Sequence, residues 1–161
     1  MSRSSEVGTV PEPIVIRAAR RSDAERLSAI AFRAEAHWGY DAALLELWRP
    51  DLTFTIASIA EDEVFVAERA GEALGVVALS YAGDVAALEG LWIDPPAMGE
   101  GLGRRLFARA VAAARTRGAR ALVVEAAPNA EGFYLRMGAR CVGTVPARPA
   151  GRRLPKLVLE L

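Results

Sequence analysis

The run from Val85 to Gly118 restricts the fold more than any other part of the chain. "VAALEGLWID" reads as a strand stopped by Pro95 and Pro96. Gly99, Gly101 and Gly103 then stand on alternate positions and open a helix of roughly 101–117. Leu102, Leu106, Ala110 and Ala113 fall on one face of that helix, and Gly118 sits where a C-terminal cap glycine belongs. Leu106, Phe107 and Val111 are its core candidates. Strand and amphipathic helix must bury their apolar faces together, which calls for a sheet with helices on its surface.

The remaining segments supply the other strands and helices. "IVIRAA" reads as a strand, and "RSDAERLSAIAFRAEAHW" as a helix that Asp23 can cap, with Leu27, Ile30, Ala31 and Ala34 at helical spacing. A second helix, "DAALLELW", begins near Asp41 and stops around Pro50. "EVFVAER" and "ALGVVALSYA", joined by a turn at Ala70–Glu72, read as an antiparallel hairpin. After the long helix come the strand "RALVVEA", the short helix "NAEGFYLRM" ended by Gly138, and the strands "ARCVGTV" and "LPKLVLEL". The order predicts a mixed sheet with helices on its faces, an α/β (α+β) domain over residues 13–161. Residues 1–12 are polar, have Pro11 and Pro13 at their exit, and read as a flexible tail.

Charge narrows the function. The formal net charge is zero, and the arginines scatter instead of forming a stripe with interleaved aromatics, so neither nucleic acid nor a membrane surface is an expected partner. No run approaches the ~18 apolar residues of a membrane span. The first residues lack the apolar core of a secretory signal, which leaves a cytoplasmic expectation. Cys141 is the one cysteine, and with His37 far away in sequence it reads as a buried structural thiol. No H-x-x-x-H or C-x-x-C spacing is present, so no metal is expected.

The glycine stretch carries chemistry of its own. A helix N-terminus offers unpaired N–H groups and the positive end of the helix dipole, and glycines let an anion approach where a Cβ would collide. Arg104 and Arg105 add charge at the same end. The dinucleotide pattern G-x-G-x-x-G fails because Arg104 takes the last glycine position, and the triphosphate loop fails for want of a lysine. A glycine-rich turn with no ligand remains the other reading.

Beside the rest of the chain, "MGEGLG" (Met98–Gly103), preceded by "LWIDPP", resembles the pyrophosphate loop of the GNAT superfamily of acetyl-CoA-dependent N-acetyltransferases. That loop usually reads [RQ]-x-x-G-x-[GA]. About 30 residues on, "NAEGFYLRMGA" resembles the family's A-x-x-F-Y-x-x-x-G-F helix. "AHWGY", "LEGLWIDP" and "RRLPKL" resemble a bacterial branch of the same superfamily. The resemblance implies a central, mostly antiparallel sheet of about seven strands flanked by about four helices. It also implies acetyl-CoA as co-substrate, with no metal, and an amine of a small molecule or peptide as acceptor. Met98 stands where an Arg or Gln is usual, Glu100 puts a carboxylate in the loop, and Ala127 replaces a frequent Asn. Asn129 lies close by, and a helix cap is its own reading.

The resemblance assigns Met98, Gly99, Glu100, Gly101, Leu102, Gly103 and Arg104 to the cofactor's phosphates, and Leu91, Trp92 and Ile93 to its pantetheine arm. Tyr134 matches the family's general acid, its alternative being to pack beside Phe133. Glu89 matches a strand-borne base. By strand alternation it shares a face with Leu91 and Ile93, and it is otherwise an exposed edge charge. Gly90 is a candidate bulge position. His37, Trp38 and Tyr40 would form an aromatic wall for the acceptor, and Arg152 and Arg153 would meet an acceptor carboxylate or remain solvated. Two functions from different classes fit: an N-acetyltransferase, or an acetyl-CoA-binding module of the same fold without turnover. A homodimer through the apolar final strand and an internal position for that strand fit equally.

Overall fold

The computed structural model describes residues 12–161; the tail expected over 1–12 lies, Glu12 aside, outside the described residues. Strands β1 (Ile14–Ala18), β2 (Glu63–Arg69), β3 (Glu72–Ala82), β4 (Val85–Ile93), β5 (Ala121–Glu125), β6 (Arg140–Ala147) and β7 (Arg152–Glu160) form one sheet of order β1-β2-β3-β4-β5-β7-β6. Every pair is antiparallel except β4–β5. That parallel pair needs a crossover, which helix α4 (Leu102–Thr116) supplies. Helices α1 (Ala24–Ala36), α2 (Ala42–Trp48) and α3 (Ile56–Glu61) belong to the opposite layer, and α5 (Glu131–Arg136) joins α4.

Alternation on the strands decides the two cores. Val64, Val66, Val76 and Ala78 meet Leu27 and Ile30 of α1, while Phe65, Ala67, Val77 and Leu79 meet Leu106, Phe107 and Ala110 of α4. The helix stops follow their glycines: Gly118 and Gly138 have φ of +79° and +98°, the left-handed conformation that ends a helix.

β4 breaks its alternation once. Ala78 pairs with Gly90 and Leu79 with Leu88, so Glu89 is the extra residue of a bulge. Ala86 and Leu88 face α4 before the bulge, and Leu91 and Ile93 face it afterwards. Glu89 therefore does not share a face with Leu91 and Ile93 as simple alternation required. It points to the α1 side with Trp92, where Ser80 Oγ donates a hydrogen bond to it. Pairing with β5 ends at Leu88–Val124, so beyond the bulge β4 and β5 part.

Other local expectations are displaced by longer-range partners. Asp23 gives α1 no side-chain cap. Its carboxylate accepts instead from Arg17 Nη1 and Nη2 (2.7 and 2.9 Å) and from the Arg20 N–H (2.6 Å). Arg17 also reaches Glu68 at 2.8 Å, and these charge-assisted bonds hold the Asp23 carboxyl below the usual carboxylate range. Cys141 is exposed on β6, at one end of the strand order, and is not a core thiol. Helix α3 adds a fifth helix, closed by a reciprocal cap in which Ser58 N–H donates to Thr55 Oγ1 (3.0 Å) and Thr55 N–H to Ser58 Oγ (2.9 Å).

Candidate active site

The parting of β4 from β5 opens a cleft of about 550 Å³. One wall is β4, through Leu91, Trp92 and Ile93, whose outer edge has no strand beside it. The opposite wall is α5 and the segment before it, through Ala127, Asn129, Phe133 and Tyr134. The floor is the glycine loop, through Met98, Gly99, Gly101, Leu102, Gly103 and Arg104. Gly99 and Gly101 have φ of +86° and +78°, so their lack of a side chain is a backbone requirement. Gly103 is already helical, and a Cβ there would rest 3.5 Å from Phe133. The first turn of the 15-residue α4 lines this floor through Leu102, Gly103 and Arg104, and the opening N–H groups of a helix have no partner within it.

Glu100 leaves the cleft lining: its carboxylate sits 3.3 Å from Arg69 Nη2, which neutralises it at the loop's outer side. Met98 lines the cleft and adds no charge. Asn129 does not cap α5; it belongs to the 3-10 turn Pro128–Ala130 and faces the cleft.

Tyr134 packs beside Phe133 and also lines the cleft. Its ring packs edge-on against Phe133 and Phe107, with centroids 5.1 and 5.8 Å apart. The residue is 5% exposed, and among the described residues no group hydrogen-bonds its hydroxyl, which is left to the cleft. Burial first, and the Glu35 carboxylate second, push the phenol above its ordinary pKa, so it keeps its proton at pH 7.

A second cavity of about 530 Å³ adjoins the first and is open to solvent. Glu89, Glu125, Asp51, Trp48, Arg148 and Arg152 line it, with Arg148 paired to Asp51 at 3.1 Å. Arg152 stacks over Trp48 at 4.3 Å, while Arg153 is occupied with Thr144 outside the cavity.

Residues 21–139 match the acetyltransferase (GNAT) family. The chain belongs to that family. Over 73 residues it is 45% identical to the blasticidin-S acetyltransferase of Streptomyces morookaense, a match that covers 44% of this chain and 54% of that protein. The chain thus spans about half the length of this relative. The fold matches that of a GCN5-related N-acetyltransferase from Rhodopseudomonas palustris, with a TM-score of 0.77 and 22% identity over 95% of this chain and 99% of that one. It also matches PaiA N-acetyltransferase from Thermoplasma acidophilum, solved with coenzyme A, with a TM-score of 0.72 and 17% identity over 92% and 99%.

In this GNAT chain the aromatic wall divides. Trp38 is 53% exposed and lines the first cleft, not the second cavity. His37 is exposed beside it, ring centroids 5.1 Å apart, and Tyr40 packs against Trp48 at 4.8 Å; neither lines either cavity. Sequence reasoning passed over Glu35 and Asp94. Glu35 lines both cavities and accepts a hydrogen bond from Trp92 Nε1 at 3.1 Å. Asp94 is buried at the end of β4 between Arg26 and Arg33 of α1. Gly90 allows the Trp92 arrangement, since a Cβ there would lie 2.0 Å from the indole.

Proposed function

We propose that this chain transfers the acetyl group of acetyl-CoA to the primary amine of a small molecule or peptide, by direct attack of the amine on the thioester. The observation that carries this reading is the Tyr134 hydroxyl, carried on a buried ring, without a hydrogen-bond partner among the described residues and open to the cleft that begins at the glycine loop. The loop's N–H groups and Arg104 suit a pyrophosphate, and the unpaired edge of β4 suits the amide groups of a pantetheine arm. A main-chain N–H of that edge would stabilise the oxyanion.

The amine enters from the second cavity, where Glu89 offers a carboxylate to hold it or draw off its proton through water. Nitrogen bonds to the acetyl carbon, the carbon–sulfur bond breaks, and the leaving thiolate takes the Tyr134 proton. The phenolate recovers a proton at once from the acetylated nitrogen, because its pKa is raised. Similarity to a protein named for acetylating blasticidin S supports a small-molecule amine.

The test is calorimetric titration with acetyl-CoA, followed by free-thiol release against primary amines that include blasticidin S. Binding with amine-dependent release is the expected result. Binding with no release from any amine would replace the transferase with an acetyl-CoA-binding module. Absence of binding would remove both.

A further inference from the structure

Glu35 stands at the meeting point of the two cavities. Glu35, Trp92 and Ala127 are the residues that line both the acceptor cavity and the cofactor cleft. Ala127 offers a methyl group, and Trp92 spends its one polar group on Glu35 Oε1. Among the described residues Glu35 is therefore the one carboxylate at this throat. Among the described residues its Oε2 accepts no hydrogen bond, and the side chain forms no salt bridge. The Trp92 bond fixes Oε1, and the indole is itself seated over Gly90 and edge-on to Phe54 at 5.9 Å. The second oxygen is left for an incoming donor.

Glu89 and Glu125 occupy a different place. They line the acceptor cavity and not the cleft that holds the Tyr134 hydroxyl. Glu89 is also engaged by Ser80. Glu35 and Tyr134 line the same cleft, and the Glu35 charge adds to burial in raising the phenol's pKa.

We propose that Glu35 is a catalytic residue, the carboxylate that receives the acceptor's ammonium group at the throat and takes its proton before attack on the thioester. This rests on the transferase reading above. The ammonium gives one proton to Glu35, and the neutral nitrogen forms its bond to the acetyl carbon. The carbon–sulfur bond breaks, the second nitrogen proton replaces the one Tyr134 has given to sulfur, and Glu35 returns its proton to solvent. Glu89 then serves to draw the cation into the cavity. The sequence hid Glu35 because it stands one residue before "AHWGY" on a helix whose spacing marks only the buried face.

Two amines of nearly equal size test this in a thiol-release assay at pH 7. Ethylamine is an ammonium there, with a pKa near ~10.4, and 2,2,2-trifluoroethylamine is largely neutral. Glu35→Gln is expected to lose about a hundredfold in kcat/KM with ethylamine and to stay within about threefold of the unaltered protein with the fluorinated amine. Equal losses with both amines, or none, overturn the proposal. A loss confined to ethylamine in Glu89→Gln, with Glu35→Gln unaffected, overturns it too and moves the base to the strand. No amine-dependent release by the unaltered protein strikes at the transferase reading itself. Calorimetric binding of acetyl-CoA by Glu35→Gln reports a retained fold. Should that variant not fold, Glu35→Asp withdraws the carboxylate by one methylene and is read the same way.

Discussion

Replacing Asp94 with alanine removes the clamp between α1 and the strand that leads into the glycine loop. The carboxylate accepts three hydrogen bonds at 3.0 Å: from Arg26 Nη2 and Arg33 Nη2 on Oδ2, and from Arg33 Nε on Oδ1. Its side chain is 8% exposed, against 34% and 44% for Arg26 and Arg33. A hydrogen bond to a charged group contributes about 1.5–3 kcal/mol, and stripping one partner from a fully buried pair costs about 3–5 kcal/mol. Here the surviving guanidiniums reach water, and Arg26 keeps the Ala73 carbonyl at 2.9 Å, so much of the second penalty is relieved. The expected loss is about 2 to 3 kcal/mol, a fall in Tm of roughly 5 to 10 °C for a chain of this size.

Urea unfolding followed by tryptophan fluorescence measures it, with Arg33→Ala and the double variant completing a cycle whose coupling should reach about 1 kcal/mol. The main-chain bonds of Asp94, from its N–H to the Leu74 carbonyl and from the Ala97 N–H to its own carbonyl (both 2.8 Å), survive the substitution, so the loss reports the side-chain clamp alone. An Asp94→Ala protein within about 0.5 kcal/mol of the original, or strictly additive single changes, would refute the clamp.

Three further outcomes are expected. Gly90→Ala drives a methyl into the Trp92 indole and should cost about 1 to 3 kcal/mol in a urea melt while loosening Glu35; an unchanged midpoint contradicts that packing. Gly101→Ala must hold a φ of +78° and should weaken acetyl-CoA binding with a stability loss of about 1 kcal/mol, whereas Gly103→Ala makes ordinary contact with Phe133; calorimetry on both should separate them. Tyr134→Phe should leave stability at pH 7 within about 0.5 kcal/mol, since no protein hydrogen bond is lost, and should depress thiol release. Because burial raises the folded-state pKa of Tyr134, its contribution is whole below the unfolded value near ~10 and is lost as pH rises toward the folded one, at up to about 1.4 kcal/mol per pH unit. Tyr134→Phe should flatten that alkaline decline, leaving the part due to Tyr81, whose pKa burial and Glu63 push up to about 12. An identical decline in the variant would contradict the assignment.

Local physics made the glycine loop, the strand before it and the long helix legible in the sequence. A positive φ at Gly99, Gly101, Gly118 and Gly138 is a property of the residue and its neighbours, and helical spacing reports which face of α4 is buried. Tyr134 was singled out differently, through the resemblance of "NAEGFYLRMGA" to the family's helix. Partners distant in the chain decided the rest. Asp23 has the composition of a helix cap, yet Arg17 and Arg20 claim its carboxylate, because paired charges outbid one neutral N–H. Cys141 looked like core until the sheet order put β6 at an edge. Gly90 marked the bulge in the sequence, but Glu89 lay on the wrong face by alternation because which residue is left unpaired depends on the register with β3. Glu35 and Asp94 gained their surroundings when α1 was laid across β4, 57 residues from Trp92 and 61 from Arg33. The sequence by itself determined most of the elements and the glycine loop; only tertiary packing decided which carboxylates line the two cavities.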